Sequence, residues 1–208
     1  GSRLSQPTTG YEFDLFAREA KVYVVDIDDN QLKYTNIKTA DKINCDLNIF
    51  FEIFSHHDLN YKANITWLRR CQEWRMKYPA VTDEMKNRKD YVNSYYFFEQ
   101  LSKYMSCDDY LVADQGATFY SFTVAFKLKK NQRAFTNGGF SPMGYGLPSA
   151  IGAVCSDNSQ RVVCVHGDGG LMMNLQELET IKHNKLPIIL FVFNNDGYLS
   201  IKHTQNSY

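Results

Sequence analysis

Two segments near the end of the chain constrain the fold most. Arg161–His166 (RVVCVH) runs into Gly167-Asp168-Gly169-Gly170, and Ile188–Phe193 (IILFVF) runs into Asn194-Asn195-Asp196-Gly197-Tyr198. Each is a short apolar run rich in β-branched residues and ended by turn formers, the pattern of a buried strand in a parallel sheet. Between them Leu171, Leu175, Leu178 and Ile181 recur at helical spacing, so Leu171–Asn184 reads as a helix anchored on that sheet by an apolar stripe. Strand, helix and strand in this order make one right-handed crossover, which sets the two strand ends side by side.

The same alternation runs upstream. Ser94 is placed to cap a helix carrying Phe97, Phe98, Leu101 and Met105 inward, and Tyr110–Ala113 reads as a strand. Thr118–Leu128 is helix-compatible, and Leu147–Cys155 is a helix with Pro148 in its first turn. The expected class is α/β: a parallel sheet with helices on both faces, truncated at both ends. Val22–Ile27 (VYVVDI) reads as one more buried strand with a helix over Leu47–Phe54 after it, so residues 1–55 are expected to be the tail of a preceding α/β domain. Residues 56–91 read as a helical linker with Trp67 and Trp74 on one face, Pro79 ending that helix, and a solvated charge run from Asp83 to Asp90. Residues 92–208 are expected to form a further α/β domain, with its C-terminal part missing.

Charge and composition exclude several classes. Lysines and arginines number 23, as do aspartates and glutamates, so nothing argues for nucleic acid. The longest apolar run, Ile188–Phe193, is far too short to span a bilayer, and secretion has no support from the start of the chain. Five scattered cysteines without a CxxC pair read as reduced thiols in a cytoplasmic protein, and make zinc a poor fit.

Chemistry concentrates at the two strand ends. Ligands of open α/β sheets bind beyond the carboxyl ends of the strands, where glycines admit phosphate oxygens close to the backbone. Asp168 is itself negative, so a cation between it and a phosphate resolves the conflict. Magnesium takes six oxygens at about 2.0–2.1 Å. The Asp168 carboxylate, the Asn195 amide oxygen and the Gly197 carbonyl would leave positions for phosphate oxygens and a water. Either loop alone reads equally as a tight turn. The pair, 27 residues apart between Asp168 and Asn195, is harder to dismiss. Neither GxGxxG nor GxxxxGK[ST] is present, which weighs against the dinucleotide and P-loop alternatives.

At these residues the chain resembles the thiamine-diphosphate-dependent enzyme superfamily of acetolactate synthases and pyruvate decarboxylases, whose signature is GDG followed, one crossover later, by NN. The resemblance implies thiamine diphosphate and Mg2+ as cofactors, with Asp168, Asn195 and Gly197 on the metal and Gly167, Gly169, Gly170 and Tyr198 on the cofactor. Gly138-Gly139-Phe140-Ser141-Pro142-Met143-Gly144-Tyr145-Gly146-Leu147-Pro148 is similar to the family loop that receives the aminopyrimidine ring. It implies Met143 as the wedge that bends the cofactor and the Ser141 backbone as the partner of the 4′-amino group; a generic core methionine is the competing reading of Met143. Asp114-Gln115-Gly116-Ala117-Thr118 matches a further diphosphate-contacting turn, of which only Gly116 carries over, because Ala117 and Thr118 replace the usual Gln-His.

By the same resemblance the full protein acts on a 2-keto acid as a carboligase or lyase, a transferase/lyase type of enzyme, and the present chain is a fragment inactive alone. The alternatives are a non-oxidative 2-keto acid decarboxylase and a catalytically silent cofactor-binding paralogue. No catalytic residue is assigned in this chain, because the activating Glu is expected in the family's N-terminal domain. A dimer or tetramer with the active site between subunits is implied. FAD is compatible with the family but has no support in these residues. Ile201 stands where decarboxylases often carry Glu, and Thr204 where acetolactate synthases carry Trp; His203 and Gln205 read as a solvated helix face.

Overall fold

The computed structural model describes residues 3–4, 6–37, 40–57, 62–157 and 160–207. It divides into two compact units, residues 1–67 and 68–208.

In the first unit, after a short helix α1 (Gln6–Thr9), β1 (Tyr23–Asp26) pairs in parallel with β2 (Asp41–Asn44), Tyr23 opposite Asp41 and Asp26 opposite Asn44. Aspartates start the helices: the Asp28 carboxylate accepts the Asn30 N–H at α2 (Asp29–Lys33), and Asp46 accepts the Asn48 N–H at α3 (Leu47–Ser55). These side chains satisfy N–H groups that a helix start leaves without partners. The strand expected over Val22–Ile27 is shorter than its apolar run, and Tyr23 and Ile27 are exposed. With one partner strand among the described residues, the sheet is too small to bury both faces. β2, with its polar sequence DKIN, gave no strand signal.

The second unit holds a four-stranded parallel sheet in the order β4 (Ala134–Phe135), β3 (Tyr110–Ala113), β5 (Val162–Gly167), β6 (Ile188–Phe193). Side chains alternate across it, so adjacent residues feed different cores. Leu111, Val163 and Val165 pack with Phe98, Leu101, Met105 and Ala125 from α6 (Ser94–Tyr104) and α7 (Ala117–Ala125). Val112, Val162 and Cys164 pack with Ala150 and Val154 of α8 (Gly146–Ser156) on the opposite face. The α/β class with helices on both faces is therefore observed.

Upstream of α6 lie α4 (Ile65–Lys77) and α5 (Asp83–Asn87), and Val81 and Met85 join the α6–α7 core. Residues 58–61 of the expected linker, like Gly1, Ser2 and Tyr208, lie outside the described residues. The cap of α6 is Asn93, whose side chain accepts the Tyr95 and Tyr96 N–H groups. Ser94 is the first residue of the helix instead of its cap, and its hydroxyl accepts from the Ser121 hydroxyl at 2.6 Å.

The helix expected over Leu171–Asn184 is broken. It begins earlier as α9 (Asp168–Leu171), tightens into a 3₁₀ turn at Met172–Asn174, and resumes as α10 (Glu177–His183). Its apolar stripe is not buried as expected: Leu175 is 41% exposed, and Leu178 is exposed too. Backbone angles at Leu171, Met172, Leu175 and Gln176 all stay in the right-handed helical region, so the tight turn interrupts the hydrogen-bond pattern without redirecting the chain. A final helix, α11 (Leu199–Ser207), follows β6.

Candidate cofactor and metal site

The strand order reverses direction at β3: β4 lies on one side of it and β5 on the other. Such a switch point opens a crevice beyond the strand ends, where no crossover covers it. β3 delivers Asp114, β5 delivers Gly167 and Asp168, and β6 delivers Asn195 to that edge.

Asp168 organises the β5–β6 side. Its Oδ1 accepts the Gly169 N–H at 2.8 Å, and its Oδ2 accepts N–H groups from Gly197 at 2.8 Å and Asn195 at 3.3 Å. Partial burial pushes this carboxyl up, but the N–H groups of Gly197, Gly169 and Asn195 outweigh it and hold Asp168 below the usual carboxylate range. Positive φ at Asp196 and Gly197 folds the β6 loop back onto it. The Gly197 carbonyl accepts the Leu199 N–H at 2.8 Å and keeps a second lone pair. The Tyr198 ring covers Gly169 so closely that a Cβ there would come within 2.7 Å of it.

Gly116 caps α7 with φ +73°, a conformation that side chains resist. It lines one cleft with Met143, Gly167, Asp168, Gly169, Gly170, Asn195, Gly197 and Tyr198; Ile201 joins them from α11. Ser141 does not line this cleft. It is exposed, with φ +49°, and Phe140 beside it is 90% exposed.

Two residues that the sequence reading gave no chemical role lie under this cleft. Asp114 is 1% exposed and His166 is 0% exposed. Asp114 Oδ1 accepts the Gly146 N–H at 3.0 Å, and its Oδ2 accepts the Gly144 N–H at 3.3 Å. His166 Nε2 accepts the Leu147 N–H at 3.0 Å, while its Nδ1 lies 3.2 Å from Asp114 Oδ2. Burial pushes the imidazole below its ordinary pKa, against the opposing pull of Asp114. A neutral ring accepting at Nε2 carries its proton on Nδ1, near the carboxylate but without the alignment of a hydrogen bond. The only local clue was that both polar residues end apolar strands.

Residues 114–208 match the family model of the thiamine pyrophosphate enzymes, C-terminal TPP binding domain. With the parallel sheet and the strand-end glycines, this part of the chain is similar to the thiamine-diphosphate-binding domain that the model describes. Over its whole length the chain is similar to acetolactate synthase large subunits: 29% identical to that of Porphyra purpurea, covering 100% of this chain and 35% of that protein. The isozyme 2 large subunit of Escherichia coli (strain K12) is 28% identical over 94% of this chain and 34% of its own length. The isozyme 1 large subunit of the same organism reaches 41% identity over 40% of this chain. The chain thus spans about a third of the length of the relatives that it matches along most of its sequence.

Proposed function

We propose that this chain supplies the diphosphate–magnesium site of a thiamine-diphosphate-dependent, acetolactate synthase-like enzyme that acts on a 2-keto acid as a carboligase or lyase. The observation that carries the reading is the convergence on Asp168 of the Asn195 and Gly197 N–H groups, which sets three oxygen donors from two adjacent strand ends beside one glycine-lined cleft. The donor set fits magnesium: one carboxylate, one amide oxygen and one carbonyl, all hard oxygen ligands.

In this reading Asp168, Asn195 and Gly197 hold the metal. Gly167, Gly169, Gly170 and Tyr198 line the diphosphate, Gly116 meets it from α7, and Met143 supports the rings with the Ser141 backbone beside it. When bound, the cofactor supplies the carbon nucleophile that a 2-keto acid needs to lose carbon dioxide. The chain's own residues hold, orient and shield. Residues 92–208 serve as the cofactor domain, with 1–55 and 56–91 as the end of a preceding domain and the connection to it.

The activating acid is not assigned here and is expected from another domain of the full-length protein. A homo-oligomer with a shared active site is part of this reading; the exposed apolar side chains of Phe140 and Met143 on the ring-side loop suit closure by a second subunit. The free cysteines suit a reducing compartment, for which the cytoplasm is the proposal.

The test is calorimetric titration of the full-length protein with thiamine diphosphate, with and without magnesium. Magnesium-dependent binding that Asp168→Ala abolishes is the expected result; undiminished binding by the variant refutes the metal-site assignment. Product analysis with a 2-keto acid then separates ligated product from free aldehyde.

A further inference from the structure

Asp114 and His166 lie between two segments of the cleft that follow different strands. The end of the Met143 loop and the first turn of α8 present three N–H groups, at Gly144, Gly146 and Leu147, and every one ends on the Asp114–His166 pair. The pair sits at the ends of neighbouring strands β3 and β5, whose register sets Ala113 opposite Val165. Two glycines permit this closeness. A Cβ at Gly146 would lie 2.8 Å from the His166 ring, and a Cβ at Gly170 would collide with Asp114 Oδ2. One carboxylate therefore touches the ring-side loop on one flank and the diphosphate-side turn on the other. Asn174, just past that turn, adds a second tie by donating to the Gly144 carbonyl at 2.8 Å.

We propose that Asp114 and His166 are positioning residues that set the Met143 loop against the Gly167–Gly170 turn, and so govern recognition of the cofactor's ring portion separately from its diphosphate. The proposal rests on the reading that this cleft takes thiamine diphosphate. The physical basis is division of labour. In that reading the metal contacts belong to Asp168 and the β6 loop, which Asp114 and His166 do not touch by hydrogen bond, and Gly170 of the diphosphate turn packs against Asp114 without one. The ring contacts belong to the Met143 loop, whose Gly144 N–H, with the Gly146 and Leu147 N–H groups where the loop enters α8, ends on this pair. A buried carboxylate accepting two N–H groups is a stiff support, because leaving those donors unpaired in a dry interior is costly.

The experiment compares two probes on the full-length protein: magnesium thiamine diphosphate and magnesium pyrophosphate, each by calorimetry, with thermal melting to confirm folding. Asp114→Asn and His166→Ala are expected to weaken thiamine diphosphate on the order of tenfold or more while leaving pyrophosphate within about twofold. His166→Gln, whose amide oxygen can accept the Leu147 N–H, is expected to recover part of the loss. A purely structural role predicts equal loss for both probes and no such recovery. Equal loss in folded variants, or no loss for either probe, overturns the proposal. If Asp114→Asn does not fold, Asn174→Ala, which releases only the Gly144 carbonyl, is read in its place: selective loss of thiamine diphosphate supports the proposal, and any other pattern overturns it. Wild-type protein that binds neither probe removes the cofactor reading itself, and the pair's role with it.

Discussion

The Asp168 carboxylate accepts the Gly197 N–H at 2.8 Å across 29 residues of chain, joining the loops that follow two neighbouring parallel strands. With the Asn195 N–H on the same carboxylate oxygen, this contact ties the two signature turns together. Beyond it the chain turns away through φ +109° at Gly197, a conformation that favours glycine.

Gly169 and Gly170 are expected to tolerate no side chain. Gly169→Ala drives a methyl into the Tyr198 ring, and Gly170→Ala drives one into the buried Asp114 carboxylate. Overpacking of this kind costs about 1–3 kcal/mol, and the second case is the more severe because the carboxylate cannot swing aside without releasing two N–H groups. Urea unfolding of both variants checks the order; a Gly170→Ala protein as stable as wild type refutes it.

Stability in acid should depend on Asp109. Burial pushes its carboxyl up, but the Arg161 guanidinium and the Ser106 N–H overcome this and hold it below the ordinary 3.8. A group lowered in the folded state stabilises above its unfolded pKa and loses that contribution as pH falls through the folded one. Wild-type stability should therefore drop as the pH falls below about 4. Arg161→Ala should cost about 1–3 kcal/mol at neutral pH, discounted because Arg161 is half exposed, and should flatten that acid limb. Chemical denaturation from pH 7 to pH 3 measures both.

Phe98→Ala is expected to be among the most destabilising single changes in the α6–α7 core. The ring is fully buried, edge-on to Phe97 at 5.5 Å and to Phe193 at 5.8 Å, so its loss leaves a cavity between helix and sheet. Truncations of this type cost about 3–5 kcal/mol. A melting temperature within error of wild type would show that the core closes around the gap.

Thiol reactivity should separate the cysteines. Burial pushes Cys164 up to about 12, and Asp114 adds to the shift. Cys107 and Cys155 are exposed. Native protein treated with a thiol reagent at pH 8 should label Cys107 and Cys155 and spare Cys164 until denaturant is added. Labelling of Cys164 at the rate of the exposed pair would contradict the packing of β5 against α8.

The sequence by itself determined the parts governed by local chemistry. Strand β6 was legible to the residue, because six apolar residues between polar turns leave no other low-energy choice. Asp168, Asn195 and Gly197 were legible as one cluster because a single crossover separates them. Tertiary structure decided whatever depends on distant partners. β2 is too polar and β4 too short to announce themselves, and they exist through pairing with β1 and β3. Leu175 and Leu178 carry a helical period, yet both are exposed, because a period alone does not decide which neighbours cover it. Asp114 and His166 show the limit most plainly. Their partners lie 30, 32 and 19 residues away in sequence, and a buried carboxylate beside a neutral imidazole acquires a role only when folding brings the Met143 loop's N–H groups to it.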